Sequence, residues 1–214
     1  MSSEEPGAGA DTGTDAGTGR PHLRLTDPRA MRAVAHPTRL ALLEALMLRE
    51  PLTATEAADL VGESPTNCAF HLRTLAKYGF VEEAEGGTGR RRPWRRAQAG
   101  FSLEADGSAP QDSESRLAAD ALTGVVLETW LERIRRVFAR RPGFPERWRR
   151  LTGMSETVLF MTPEEAEEFT RDAHELLRRF QERSDNAALR PAGSVPVEVI
   201  QFSFPFDAVT RPEG

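Results

Sequence analysis

Apolar positions recur at helical spacing through most of the chain, and the breaks fall on residues that start and stop helices. Asp27-Pro28 places an N-cap before a proline at the first helical position, predicting a short helix to about Val34. His36-Pro37 interrupts it. A second helix follows, with Leu40, Leu42, Leu43, Ala45, Leu46 and Leu48 supplying a broad apolar face. Thr53 stands three residues before Glu56, a capping-box pattern. The helix it opens carries Ala57, Leu60 and Val61 and stops at Gly62. Ser64-Pro65 is the next start signal. That helix carries Cys68, Leu72 and Leu75 at spacings of four and three and ends at Tyr78-Gly79. The period then changes. Phe80 to Glu85 alternates weakly and meets Gly86-Gly87-Thr88-Gly89, and Arg90 to Arg96 follows, which reads as a β-hairpin.

Beyond the hairpin lies a polar linker with Gly107 and Pro110, then a long helical pattern from Ser113 to Arg140. Its expected stripe is Leu117, Ala121, Val125, Leu127, Trp130, Leu131, Ile134, Val137 and Phe138. Arg141-Pro142-Gly143 ends it, and Phe144 to Arg150 predicts a short helical turn. Glu156 to Met161 reads as a strand. Thr162-Pro163 caps a helix through about Glu182, with Glu164, Glu165 and Glu167 where the helix dipole favours acids. A loop spans 183–195. From 197 to 204 the more apolar face, Ile200, Phe202 and Phe204, alternates with Val197, Val199, Gln201 and Ser203, predicting a second strand that Pro205 ends. The expected fold is therefore mainly α with small β: a winged helix-turn-helix domain, then a long helix, then a strand-helix-strand C-terminal region. Its expected divisions are 1–20 as a disordered N-terminal tail, 21–100 as the winged domain, 101–112 as a linker, and 113–214 as a dimerisation and effector region.

Composition changes this picture in one respect. The chain has 214 residues, 39% hydrophobic and 29% charged, with a net charge of −5. An acidic chain argues against nucleic acid, but the charge is uneven. Residues 1–20 sum to −3, residues 21–100 to +3 and residues 101–214 to −5. The basic segment is the one with the hairpin, where Arg90, Arg91, Arg92, Arg95 and Arg96 cluster around Trp94. A local basic patch, not total charge, is the electrostatic footprint of nucleic-acid binding. No apolar run approaches the roughly 20 residues that span a bilayer, and no secretory leader pattern opens the chain. A cytoplasmic protein with no membrane partner is expected. Cys68 is the single cysteine, which excludes an intrachain disulfide.

The chemistry centres on the two helices separated by the turn at Gly62. The second has polar residues at its start and an apolar seam behind, the arrangement of a recognition helix that presents its first turns to the major groove. With Cys68, Leu72 and Leu75 inward, Ser64, Thr66, Asn67, Phe70, His71 and Arg73 are expected to face double-stranded DNA. Asn67 suits adenine, Thr66 a phosphate or base, and Phe70 a thymine methyl. The hairpin arginines suit the phosphate backbone or a minor groove. The plainer alternatives are a helical hairpin of an all-α domain and a solvated basic loop.

Met31 to Arg96 resembles the ArsR-type winged helix-turn-helix regulators of bacteria. The residues that carry the resemblance are Ala35-His36-Pro37-Thr38-Arg39 with the following leucine-rich helix, the run from Ser64 to Leu75, and Gly79-Phe80-Val81 at the entry to the wing. The resemblance implies a homodimer on a two-fold operator that represses transcription. The metal-sensing pattern is missing: the helix after Thr53 has no cysteine, and Asp172-Ala173-His174 lacks later histidine partners, since 185 and 188 are Asp and Ala. No metal or other cofactor is expected.

Cys68 on an apolar seam reads as a small hydrophobe, with a redox switch as the alternative. No catalytic motif is present, so no enzyme is expected. The stripe after Leu117 reads either as core against 156–204 or as a dimer interface through Leu117, Val125, Trp130 and Ile134. Trp130, Trp148, Phe160 and Phe202 read as core or, alternatively, as the lining of a small-molecule effector pocket. The rival function is a winged-helix protein-interaction module without direct DNA readout.

Overall fold

The computed structural model describes residues 12–13, 22–87, 92–98, 100–102 and 113–205. Seven helices occur among them: α1 Pro28–Val34, α2 Pro37–Leu48, α3 Ala54–Val61, α4 Pro65–Lys77, α5 Ser113–Arg140, α6 Glu146–Leu151 and α7 Pro163–Asp185. The short strands are β1 Thr12–Gly13, β2 His22–Arg24, β3 Val81–Glu83, β4 Trp94–Arg96 and β5 Gly100–Ser102.

Helix starts follow local capping chemistry. The Asp27 carboxylate accepts from the Arg29 amide at 2.8 Å ahead of α1. His36 Nδ1 accepts from the Thr38 amide at 3.2 Å ahead of α2. Thr53 and Glu56 form a reciprocal capping box on α3, and Thr162 and Glu165 do so on α7. The hydrogen bonds from Thr53 hold the Glu56 carboxyl below its usual range. Ser64 Oγ accepts from the Asn67 amide at 3.2 Å ahead of α4. Gly62 ends α3 in the left-handed region at φ 75°, a conformation that a side chain would strain. Gly79 at φ 74° ends α4 in the same way. There the Phe80 amide reaches back to the Leu75 carbonyl and the Gly79 amide to Ala76, which satisfies two last-turn carbonyls and seats Phe80 in the core.

The core gathers Met31, Val34, Leu42, Leu46, Leu52, Leu72 and Leu75 between α1, α2, α3 and α4. The N-terminal part of α5 packs against α1. Strands β3 and β4 pair antiparallel with Val81 opposite Arg96 and Glu83 opposite Trp94. An isolated bridge between Leu52 and Trp94 ties the hairpin to the end of α2.

Three expectations are corrected here. A second small sheet, ordered β1-β2-β5, has β2 parallel to β5, so residues 101 and 102 belong to the winged domain and not to the linker. Phe101 packs edge-on against Phe80 at 5.9 Å between ring centroids. Thr12–Gly13 pairs with β2, where the composition predicted only disorder; the rest of 1–21 and residues 103–112 lie outside the described residues. The inward face of α5 is Ser115, Ala118 and Leu122, whereas Leu117 is 69% exposed. An i, i+3, i+7 set faces α1, and Leu117 sits about a third of a turn away from it.

The expected strands at 156–161 and 197–204 are not strands in this chain. Neither segment shares a ladder with another described residue, and a strand exists only with a backbone partner. The tail does touch α5: Phe202 packs edge-on against Trp130 at 5.8 Å, and Arg133 bridges Glu44 at 2.6 Å and Glu198 at 3.0 Å. Trp148 and Phe160 are exposed and do not come together with Trp130 in a closed pocket. Among the described residues no helix is long and apolar enough to cross a membrane.

Candidate nucleic-acid interface

Helix α4 lies across α2 and α3 with Cys68, His71, Leu72 and Leu75 buried. The opposite side presents Thr66, Phe70, Arg73 and Lys77 to solvent. Spacings of four, three and four put these residues on one stripe along the helix. Phe70 is 59% exposed, with only the edge of its ring set against His71 at 5.3 Å between centroids. Lys77 was not among the residues expected to face DNA. The same spacing argument could have found it, since it follows Arg73 by one turn. Its ammonium lies 5.6 Å from the centre of the Tyr78 ring.

Three of the expected contacts have partners of their own. Asn67 is half-buried, and its side-chain amide donates to Glu63 at 2.9 Å. Ser64 holds the N-cap. Arg73 donates through Nε to the Ala69 carbonyl at 3.0 Å and remains exposed.

His71 is a correction. It was expected at the DNA face, but it is only 6% exposed and its ring lies 4.6 Å from that of His36. The reason is angular: His71 precedes Leu72 by about 100° of helix, enough to keep it on the edge of the buried seam. Burial lowers both imidazoles below their ordinary value of 6.5, with Arg39 adding to this at His36, and His36 and Arg39 at His71. A lowered imidazole is neutral in the folded chain and takes up a proton more readily in the unfolded one. The stability this pair supports is therefore complete above pH 6.5 and is lost as pH falls from there toward the folded values. The thermal midpoint is expected to decline as pH falls below about 6.5, and His71→Leu is expected to reduce the slope. An identical slope in that variant would assign the titration to other groups.

Cys68 is fully buried, and burial raises its thiol above the ordinary range. A buried, protonated thiol is a poor nucleophile.

The wing differs from its expected form. Arg92 pairs with Glu83 at 2.5 Å and Arg95 with Glu82 at 2.8 Å. Both arginines remain about half exposed, so they can still exchange these carboxylates for phosphates. Arg96 cannot, and this is a second correction. It is 4% exposed, its amide donates to Glu50 at 3.0 Å, and its guanidinium lies 3.5 Å from the same carboxylate. Trp94 is also buried, exchanging backbone hydrogen bonds with Leu52 at 2.7 and 2.9 Å. The period-two pattern of β4 explains both: Trp94 and Arg96 point inward and Arg95 points outward. Arg90 and Arg91 lie outside the described residues.

Residues 34–84 match the model of a family described as a helix-turn-helix domain. The match runs from the end of α1 through β3 and contains the whole of α2, α3 and α4. No curated protein matches the chain in sequence.

Proposed function

We propose that the chain is a sequence-specific double-stranded DNA-binding transcription regulator of the ArsR type, acting as a homodimer and as a repressor. The observation that carries this reading is the exposed stripe Thr66, Phe70, Arg73 and Lys77 on the second helix of a helix-turn-helix domain. Two cations, a hydroxyl and an apolar ring on one helix face make up a reading surface: the cations hold phosphates, while the hydroxyl and the ring meet base edges and thymine methyls.

Asn67 stays in the proposed reading set, since it gains a base when its bond to Glu63 is exchanged. Ser64 keeps a hydroxyl proton to donate to phosphate while its oxygen caps α4. Arg90, Arg91, Arg92 and Arg95 form the proposed backbone-contacting wing. One recognition helix per chain calls for two chains on a two-fold operator.

The pairing of Arg92 and Arg95 with glutamates, together with the exposure of Phe70, also favours a protein-docking surface more than the arginine cluster alone suggested. Salt dependence separates the two readings. DNA fragments recovered by genome-wide binding should bind the purified protein with an affinity that falls steeply with salt. Arg73→Ala with Lys77→Ala should flatten the log–log slope by up to about 2, at roughly 0.9 per phosphate contact. Asn67→Ala should instead relax preference at a single base position, at a cost of about 1–3 kcal/mol there. No enriched fragments, with no salt-dependent binding by the purified protein, would leave the protein-docking reading.

A further inference from the structure

The buried hydrophobic residues all fall between Leu23 and Leu122 among the described residues. The chain beyond contributes none, yet it is not poor in apolar residues. Sixteen large hydrophobic side chains from Leu151 to Phe204 are exposed, and Phe160 is fully so. Helix α7 shows the pattern best. Phe169, Leu176, Leu177 and Phe180 form a stripe at spacings of seven, one and three, all exposed, while acids and arginines make up most of the rest of the helix. The segments 156–161 and 197–204 have the composition of strands and no ladder partner among the described residues.

We propose that residues 156–204 form a dimerisation arm completed by the same residues of a second copy. In the pair, the 156–161 and 197–204 segments take strand partners from the other chain, and the α7 stripe closes over the sheet they make.

The choice of a second copy rests on three points. First, the chain cannot cover this surface itself. Residues 1–21 have no large apolar residue after Met1, residues 103–112 have only Leu103, and residues 206–214 have only Phe206 and Val209. Second, the area fits. At roughly 100 Å² per half-exposed side chain, the fourteen that lie within 156–204 offer on the order of 1,400 Å² per chain and 2,800 Å² per pair, within the range of obligate homodimers. Third, the surface is self-complementary in kind. An unpaired strand segment joins its own copy antiparallel across a two-fold axis, which closes the assembly at two chains. Trp130 and Arg133 of α5 hold Phe202 and Glu198 and so seat this arm against the long helix. The proposal draws on the DNA-binding reading only for its expectation of two copies, and it moves the main contact from the Leu117–Ile134 face of α5 to the arm.

The test is sedimentation of the purified full chain together with amide hydrogen exchange. The expected mass is about 47 kDa, twice the 23.7 kDa of one chain. Amides of 156–161 and 197–204 are expected to exchange at least about tenfold more slowly than an unstructured chain. Phe160→Glu combined with Phe180→Glu should halve the mass and release that protection. The same variant should leave exchange in α2 to α4 unchanged, because neither side chain touches the core. A monomeric wild-type chain, a dimer indifferent to both substitutions, or unprotected amides in the wild-type dimer would each overturn the proposal. A monomer that acquires protection only with a different protein would do so as well. The wild-type exchange measurement stands even if the variant fails to fold. Neither measurement uses DNA: unprotected amides, or a dimer indifferent to the substitutions, would sink the arm and leave the DNA-binding reading intact, a monomer would also remove the homodimer from that reading, and a loss of salt-dependent binding leaves the arm intact.

Discussion

Glu50→Ala is expected to destabilise the winged domain by about 3–5 kcal/mol, the cost of breaking one side of a buried ion pair. Glu50 and Arg96 have side chains 16% and 5% exposed. The Glu50 carboxylate accepts the Arg96 amide and faces the Arg96 guanidinium, so one side chain joins the end of α2 to the backbone of β4. Alanine would leave the guanidinium buried without this counter-charge and take an acceptor from the strand amide. For a domain of this size the loss corresponds to a fall in Tm of more than about 10 °C. Glu50→Gln keeps an acceptor and should cost less. Arg96→Met in the Glu50→Ala background should recover part of the loss, because it removes the buried charge that has lost its Glu50 carboxylate. Urea denaturation of the three variants checks this. A loss below about 1 kcal/mol for Glu50→Ala would mean that the pair behaves as a surface bridge.

Leu72→Ala and Arg73→Ala are neighbours on α4 with opposite expected outcomes. Leu72 is fully buried where α4 lies across α2 and α3. Its truncation removes apolar contact and leaves a cavity, at an expected cost of about 3–4 kcal/mol. Arg73 is exposed, and its hydrogen bond is to its own helix. Arg73→Ala is expected to change stability by no more than about 0.5 kcal/mol while weakening binding to every DNA sequence tested. Leu72→Ala, assayed at a temperature where it remains folded, should bind DNA nearly as well as the parent. Equal loss of binding in both variants would show that the placement of α4, and not its outward stripe, limits binding.

The two pairs of residues also show where reading the chain succeeds and fails. Cys68, Leu72 and Leu75 announce their burial by spacing alone, because a helix repeats its face every three to four residues. His71 sits on the boundary of that face. Its ring meets that of His36, which arrives from the turn that caps α2. Arg96 belongs to a run that looks like one basic patch, and only the pairing of β4 with β3 and with Leu52 turns it inward. Glu82 and Glu83 were visible as acids, but their contact with Arg95 and Arg92 follows from hairpin register, which the Gly-rich turn does not specify on its own.

The sequence by itself determined the helix boundaries. Asp27-Pro28, Thr53 with Glu56, Ser64-Pro65 and Thr162-Pro163 each act within a few residues, through hydrogen bonds to first-turn amides that no distant residue supplies. It also determined that α4 carries a polar outward stripe, since that is a matter of angle along one helix. The tertiary structure alone decided which charges remain available, which face of α5 meets α1, and that β2 and β5 join the two ends of the winged domain in one sheet. These are contacts between residues far apart in the chain. Short strands and mixed helix faces carry too little local preference to choose among partners, so packing makes the choice. In the C-terminal half, strand-like segments stand without a ladder among the described residues, because an alternating pattern supplies a face but not the backbone partner that makes a strand.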